Sequence, residues 1–395
     1  MFRLIRERRN DRNRQADSHE VIVNQPSQPE RESMDRASCS KTDPSSVPLC
    51  VDLDGTLVRS DTLWETILQL VRHRPGSIVP IIGQYLRAGR SAFKSAAVDA
   101  LVIDPATLPY HDDVIAEIGR ARAAGRPVLL VTGANERLAH AVAEHTGLFD
   151  GVIGSRPGSN NTGQDKADEL SRRYGLRQFD YFGNSHADLK VWAQSHAALV
   201  IGSDRLKDQA GQRAPVTFHA PAATVSRPRA ILQALRPMCW PLDSLVILPA
   251  LVAGDVGRIT ITSFIGVWCF AAAFRIFGQL TDLPAFRKRP DAARHPFAAG
   301  NLPLSQGVAM ACSLAIIAML IAVVGLPARV LAFVAAFVAV SVLQIHFGQR
   351  RPAVFAVVLA ALRLAVGYEA ARAESTGPET PAPPSVTAAQ TSWRN

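Results

Sequence analysis

Four long stretches in the C-terminal half of this 395-residue chain carry almost no charge, and they constrain its architecture more than any other feature. Residues 259–274, 296–328 and 330–349 contain no Asp, Glu, Lys or Arg, and residues 353–368 contain Arg363 alone. About 20 apolar residues cross a hydrocarbon core, where the backbone must satisfy its own hydrogen bonds, so these runs predict membrane-spanning helices. A shorter run, 240–253, carries Asp243 and reads as a first span or a re-entrant helix. The count is then about five spans within an all-α membrane domain over 239–371. Composition agrees: 48% of residues are hydrophobic and 19% charged, below the roughly 25% of ordinary soluble proteins, which excludes a wholly soluble or disordered chain.

The flanking charges orient the spans. Arg287, Lys288, Arg289 and Arg294 crowd one loop and Arg350 and Arg351 another, whereas the opposite loops hold Arg258 and Arg329. The positive-inside rule puts the two basic loops in the cytoplasm. With five spans, the N-terminal half lies on the cytoplasmic side of an inner membrane and the tail, 372–395, lies outside and disordered. Residues 1–47 lack apolar periodicity and read as a disordered arm. Six arginines within its first 14 residues make it a solvated tail or a contact for anionic headgroups. Five scattered cysteines without CxxC spacing exclude a disulfide scaffold and a structural zinc site. No nucleic-acid partner is expected.

Between Pro48 and Ser203 the pattern changes. Short β-rich runs (PLCVDLDG, PVLLVTG, DGVIGS, FDYFGNS, AALVIGS) alternate with helical stretches, which predicts a parallel, doubly wound sheet. About 65 residues separate the first two strands, too many for a plain crossover, and the insert is expected to be a helical cap over about 58–120. The α/β domain is expected to cover 48–205, followed by a linker over 206–238.

The segment CVDLDGT places Asp52 and Asp54 on one face of a strand end, with Gly55 permitting a sharp turn. Paired carboxylates suit phosphoryl transfer: one attacks phosphorus, the other protonates the leaving oxygen and then activates water, with Mg²⁺ holding the oxygens together. In these residues the chain resembles the haloacid dehalogenase (HAD) superfamily, whose DxDGT signature matches residues 52–56. The resemblance implies a Rossmann-like α/β fold with a cap. It makes Asp52 the nucleophile and Asp54 the acid/base, Thr132 (in VTGAN) and Lys166 the phosphate binders, and Asp52, Asp54, Asn184 and Asp188 the Mg²⁺ side. Asn184 stands where the family usually has an aspartate.

The segments LQALRPMCWPLDSLVILPALVAGD and FGQLTDLPAFRKRPDAARHPFAAGNLPLSQG resemble the start of UbiA-type membrane prenyltransferases. The basic stretch His295–Gly300 matches. Of the acidic motif only Asp282 does, with Gly278, Gln279 and Phe286 elsewhere in it. The resemblance implies a lipid-phosphate site drawing on Asp282, Arg287, Lys288, Arg289, Arg294 and Arg363. HAD domains joined to UbiA-like domains resemble proteins of polyprenyl-phosphate sugar pathways, including arabinosyl donors and nodulation signals. Three readings follow: a membrane-tethered Mg²⁺ phosphatase acting on a phosphorylated or polyprenyl-linked sugar, a prenyl or phosphoribosyl transferase completed by other pathway subunits, or a non-catalytic membrane scaffold.

Overall fold

A computed structural model describes residues 47–155, 161–348 and 350–376, apart from the side chains of residues 90 and 91. The expected N-terminal arm, except Val47, and the tail from residue 377 lie outside the described residues.

The α/β half is built on a parallel sheet in the order β3-β2-β1-β4-β5-β6. Strand β1 (Leu49–Val51) sits at its centre, fully buried, which is why it reads as an unbroken apolar run. Two helices follow β1 as the cap: α1 (Thr62–His73) and α2 (Ile78–Ala100). Asp61 caps α1, accepting from the N–H groups of Leu63 and Trp64 at 2.9 and 3.1 Å. The chain leaves β1 and returns from the cap along two paired connections, Arg59 N–H to Pro109 O at 2.8 Å and His111 N–H to Leu57 O at 2.9 Å. The cap is therefore shorter than expected. Helix α3 (Asp112–Ala123) buries Val114 and Ile118 in the core of the sheet and belongs to the α/β body.

The remaining elements alternate: β2 (Val128–Asn135), α4 (Glu136–Thr146), β3 (Gly151–Ser155), α5 (Gln164–Tyr174), β4 (Asp180–Gly183), α6 (Leu189–Trp192), β5 (Ala198–Ile201) and α7 (Asp204–Gly211). A sixth strand, β6 (Val216–Ala220), pairs with β5. The sheet thus extends into the stretch expected to be linker. Helix α8 (Arg227–Leu235) then carries the chain to the bundle.

Among the described residues, four helices are long and apolar enough to span a membrane: α11 (Arg258–Thr281), α13 (Leu304–Gly325), α14 (Ala328–Phe347) and α15 (Pro352–Ser375). They correspond to the four uncharged runs, and α15 continues four residues into the stretch expected to be a disordered tail. The expected fifth span is not one helix. It is broken into α9 (Trp240–Asp243), a 3₁₀ turn and α10 (Leu248–Ala253), with Pro241 and Pro249 in the first turns of the two helices. A proline has no N–H to donate and its ring crowds the preceding turn, so it suits the first turn of a helix and kinks or breaks an interior. The broken segment nevertheless runs the length of α11. Ala234 accepts from Gln279 near one end of that helix, and Gly257 precedes Arg258 at the other, ~36 Å away for 24 residues at 1.5 Å each.

A short helix, α12 (Leu283–Arg287), lies in the loop after α11. This end of the bundle holds the cap. Trp64 and Leu68 of α1 pack with Ile276, Leu280, Phe286 and Phe297, and with Ala230 and Ala234 of α8. Arg287 forms an ion pair with Glu65, its side chain 10% and that of Glu65 3% exposed, and it also donates to Thr107 O at 2.9 Å. One guanidinium thereby ties the outgoing and the returning ends of the cap to the bundle. Arg72 donates to Ile345 O at 2.7 Å and lies 3.8 Å from Asp282, while Asn301 accepts from the N–H and hydroxyl of Thr224, each at 3.0 Å.

Removing one partner of a buried pair leaves the other charge uncompensated. Arg287→Ala and Glu65→Ala are each expected to lower stability by roughly 3–5 kcal/mol, and the double Leu replacement by less than either. Thermal unfolding of the four purified forms in one detergent checks this, and additive single costs would contradict it.

Candidate active site

Strands β1 and β4 are neighbours in space but β1 continues to β2 on its other side, so the order of the sheet reverses between them. A crevice opens at the C-terminal ends of the strands at such a point. Asp52 follows β1 there and Asn184 follows β4. Gly55, at φ +74°, turns the chain out of β1, and the Asn184 amide occupies the place where its side chain would stand. A residue with a Cβ at position 55 would both strain the turn and strike Asn184.

Lys166, the third residue of α5, donates to Asp52 Oδ1 and to the Tyr181 hydroxyl, both at 2.8 Å. Tyr181 donates to Asp188 Oδ1 at 3.0 Å. The other oxygen of Asp188 accepts from the N–H groups of Asn184 and Ser185 and from the Ser185 hydroxyl, at 3.1, 2.9 and 2.8 Å. A continuous polar chain therefore joins Asp52 to Asp188. Thr132 is fully buried in β2, its hydroxyl oxygen accepting from Ala134 N–H at 3.0 Å, which leaves its proton for another acceptor.

Asp54 faces a different partner. Its Oδ1 accepts from Thr62 N–H at 2.8 Å, at the first turn of cap helix α1. A cavity of about 110 Å³ opens beside it, lined by Asp54, Thr62, Thr66, Lys94, Val98 and Asn135 among others. Cap helix α2 supplies Lys94, whose ammonium donates to Gly133 O at 2.9 Å.

Burial pushes the Asp52 carboxyl up to about 6, opposed by Lys166 and reinforced by Asp188. Burial and the nearby Asp61 push Asp54 up to about 7, against the pull of Thr62 N–H. Burial works against the Lys166 ammonium, but Asp52 and Asp188 outweigh it and hold it charged. Two carboxylates on one strand end thus differ in environment: one is held beside a cation, the other beside a single amide and a second acid. That is the separation an attacking carboxylate and a proton donor require.

The expected site residues Asp52, Asp54, Thr132, Lys166, Asn184 and Asp188 lie around the carboxyl ends of β1, β2 and β4 and the start of α5. Asp54 points its bonded oxygen toward the cap. Among the described residues no three His, Cys, Asp or Glu side chains converge as a ready metal cluster. Asp52, Asn184 and Asp188 do offer the carboxylate and amide oxygens that a hard cation takes. These three fit Mg²⁺ as a thin set, two carboxylates and an amide.

The expected lipid-phosphate residues do not form one cluster. Arg287 is committed to Glu65, and Asp282 lies by Arg72. Arg363 is buried within the bundle, donating to Asp243 at 3.0 Å and stacked over Phe337 at 5.0 Å. Lys288, Arg289 and Arg294 are exposed on the loop after α11, with Arg289 over the ring of Phe286. Gln279, where the transferase motif has an aspartate, is a buried support for α8. Sequence reasoning missed Tyr181, Lys94 and Thr62. The tyrosine sits in FDYFGNS with its partner Asp188 seven residues on, a spacing open to inspection, whereas nothing in GRSAFKSA marks Lys94.

The profile of haloacid dehalogenase-like hydrolases matches residues 49–192, and this part of the chain is such a domain. The chain is 30% identical over 272 residues, 67% of its length, to "Uncharacterized protein y4nM" of Sinorhizobium fredii (strain NBRC 101917 / NGR234). That match is longer than the hydrolase segment, so it reaches beyond it. The chain spans about half, 52%, of that relative. Among solved structures, an apo phosphoserine phosphatase is similar at 15% identity and TM-score 0.32, covering 48% of this chain and 98% of its own. A protein of unknown function from Bordetella pertussis Tohama I is similar at 16% identity and TM-score 0.35, covering 45% and 99%.

If Asp54 donates a proton and Asp52 attacks as the anion, hydrolysis of a phosphate monoester is expected to fall above pH about 7 as Asp54 loses its proton. A pH–rate profile from 5 to 9 checks this. Asp54→Asn should be slower and lose the alkaline limb, and a parent profile flat to pH 9 would contradict the assignment.

Proposed function

We propose that this chain is a membrane-anchored, Mg²⁺-assisted phosphatase whose substrate phosphate is carried at the membrane surface. The observation that carries the reading is the double use of α1. Its Thr62, Leu63 and Thr66 line the cavity beside Asp54, while its Trp64, Glu65 and Leu68 rest on the bundle. The reacting groups are thereby about one helix diameter, roughly 10 Å, from the ends of the spans.

Asp52 attacks phosphorus, and the bond from phosphorus to the leaving oxygen breaks as Asp54 gives that oxygen its proton. Asp54, now a carboxylate, takes a proton from water, whose oxygen attacks the aspartyl-phosphate and releases inorganic phosphate and free Asp52. Lys166 keeps Asp52 ionised and, with the Thr132 hydroxyl, is placed to take the phosphate oxygens. When bound, Mg²⁺ on Asp52, Asn184 and Asp188 would offset the charge of carboxylate and phosphate.

The substrate class we favour is a phosphorylated sugar or a polyprenyl-phosphate-linked sugar, as in glycosyl-donor synthesis of the arabinosyl kind, including donors for nodulation signals. The exposed Lys288, Arg289 and Arg294 at the same end of the bundle suit a lipid phosphate. These basic residues and the α/β half share one end of the bundle, which the positive-inside rule assigns to the cytoplasm of an inner membrane. The transferase reading finds less support, since the one acidic residue its motif retains, Asp282, lies beside Arg72.

The test is hydrolysis by the full chain in nanodiscs with Mg²⁺, using a polyprenyl-linked 5-phosphosugar and its free sugar phosphate. Turnover of the lipid-linked ester, lost on Asp52→Asn in a form that melts like the parent, is expected. Equal turnover by Asp52→Asn would overturn the assignment.

A further inference from the structure

The cap carries an apolar face that no described part of the protein covers. In the first half of α2, Val79, Ile82, Tyr85 and Leu86 are 75, 48, 47 and 78% exposed. At 100° per residue they fall within an arc of about 120° on one side of the helix. Ile81, about 100° round the helix from the centre of that arc, is buried with Leu70 of α1 and holds this half of α2 to the cap. A stripe of four large apolar side chains in water invites association.

Its place in the fold says what medium meets it. Arg72, in the last turn of α1, donates to Ile345 O in the last turn of α14 and lies by Asp282 at the end of α11. The α1–α2 turn is thus held at the ends of two spanning helices, and α2 begins five residues after His73. Exposed Val342, Leu343 and Phe347 continue the apolar surface along α14 on the bundle's side of that junction. Exposed Arg87 stands on the same half of α2, as suits a lipid phosphate beside a shallowly inserted helix, whereas Arg74, just before it, donates to Ala100 O at 2.8 Å.

We infer that the first half of α2 lies in the bilayer interface, with Val79, Ile82, Tyr85 and Leu86 at the boundary of headgroups and acyl chains. The helix kinks at Gly89 (φ 75°, ψ −167°), and beyond the kink Lys94 and Val98 line the cavity beside Asp54. Two helical segments joined at this kink therefore place the first at the lipid surface and the second, through Lys94 and Val98, against the cavity. The assignment stands on exposure and position alone and holds whatever chemistry the cavity performs.

The test uses the full chain in nanodiscs with Cys39, Cys239 and Cys312 replaced by serine, and a bimane label at Leu86→Cys or, separately, Val79→Cys. The reference is Leu176→Cys, 63% exposed in the turn after α5. Lipids spin-labelled near the top of the acyl chain are expected to quench both α2 labels several-fold more than the reference, with iodide in the water quenching them less. If lipid quenching at both positions is no greater than at Leu176, the inference is overturned, and the face meets water, a second copy or another protein.

Discussion

The Glu65–Arg287 pair is the contact on which the arrangement of this molecule depends. A buried carboxylate and guanidinium are stable together and costly apart, and here they sit 222 residues apart in sequence, one on the cap and one on the bundle. Because Arg287 also holds Thr107 O, both ends of the cap are fixed to the membrane domain. In this chain the cap is anchored to the bundle.

That anchoring passes directly into the chemistry. Thr62 N–H, the first amide of α1, is the hydrogen-bond donor to Asp54, and three residues later the same helix presents Glu65 to Arg287. The acid/base carboxylate is thus positioned by a helix whose other face is set by the membrane domain. The bundle has its own buried charge to manage: Asp243, fully buried, accepts from both Arg275 and Arg363. Arg363 inside a span is tolerable because that carboxylate and the face of Phe337 replace the water it gave up. The carboxylate comes from the proline-broken segment, which gives that segment a reason to lie where it does.

Much of the α/β half was legible because its signals are local. A buried parallel strand reads as an apolar run, and the residues at its carboxyl end, Asp52, Asp54 and Gly55, sit where the strand must turn. Lys166 and Asp188 were readable only through the resemblance, since nothing in the spacing says that residues 114 apart meet at 2.8 Å. The cap docking was illegible for a physical reason. An arginine looks the same in sequence whether it serves topology, a lipid phosphate or a buried glutamate, and Arg287 proved to serve the last. Strand β6 escaped because VTFHA is short and half exposed. The break in the segment 240–253 was legible: Pro241 and Pro249 lie inside the run, and a proline interrupts a continuous helix.

The most direct test of the account is to find the covalent intermediate. The full chain in nanodiscs, mixed with Mg²⁺ and a polyprenyl-linked 5-phosphosugar and quenched in acid within the first turnover, should carry one phosphate on the peptide containing Asp52. Phosphate on another residue, or turnover with none on Asp52, would contradict the account.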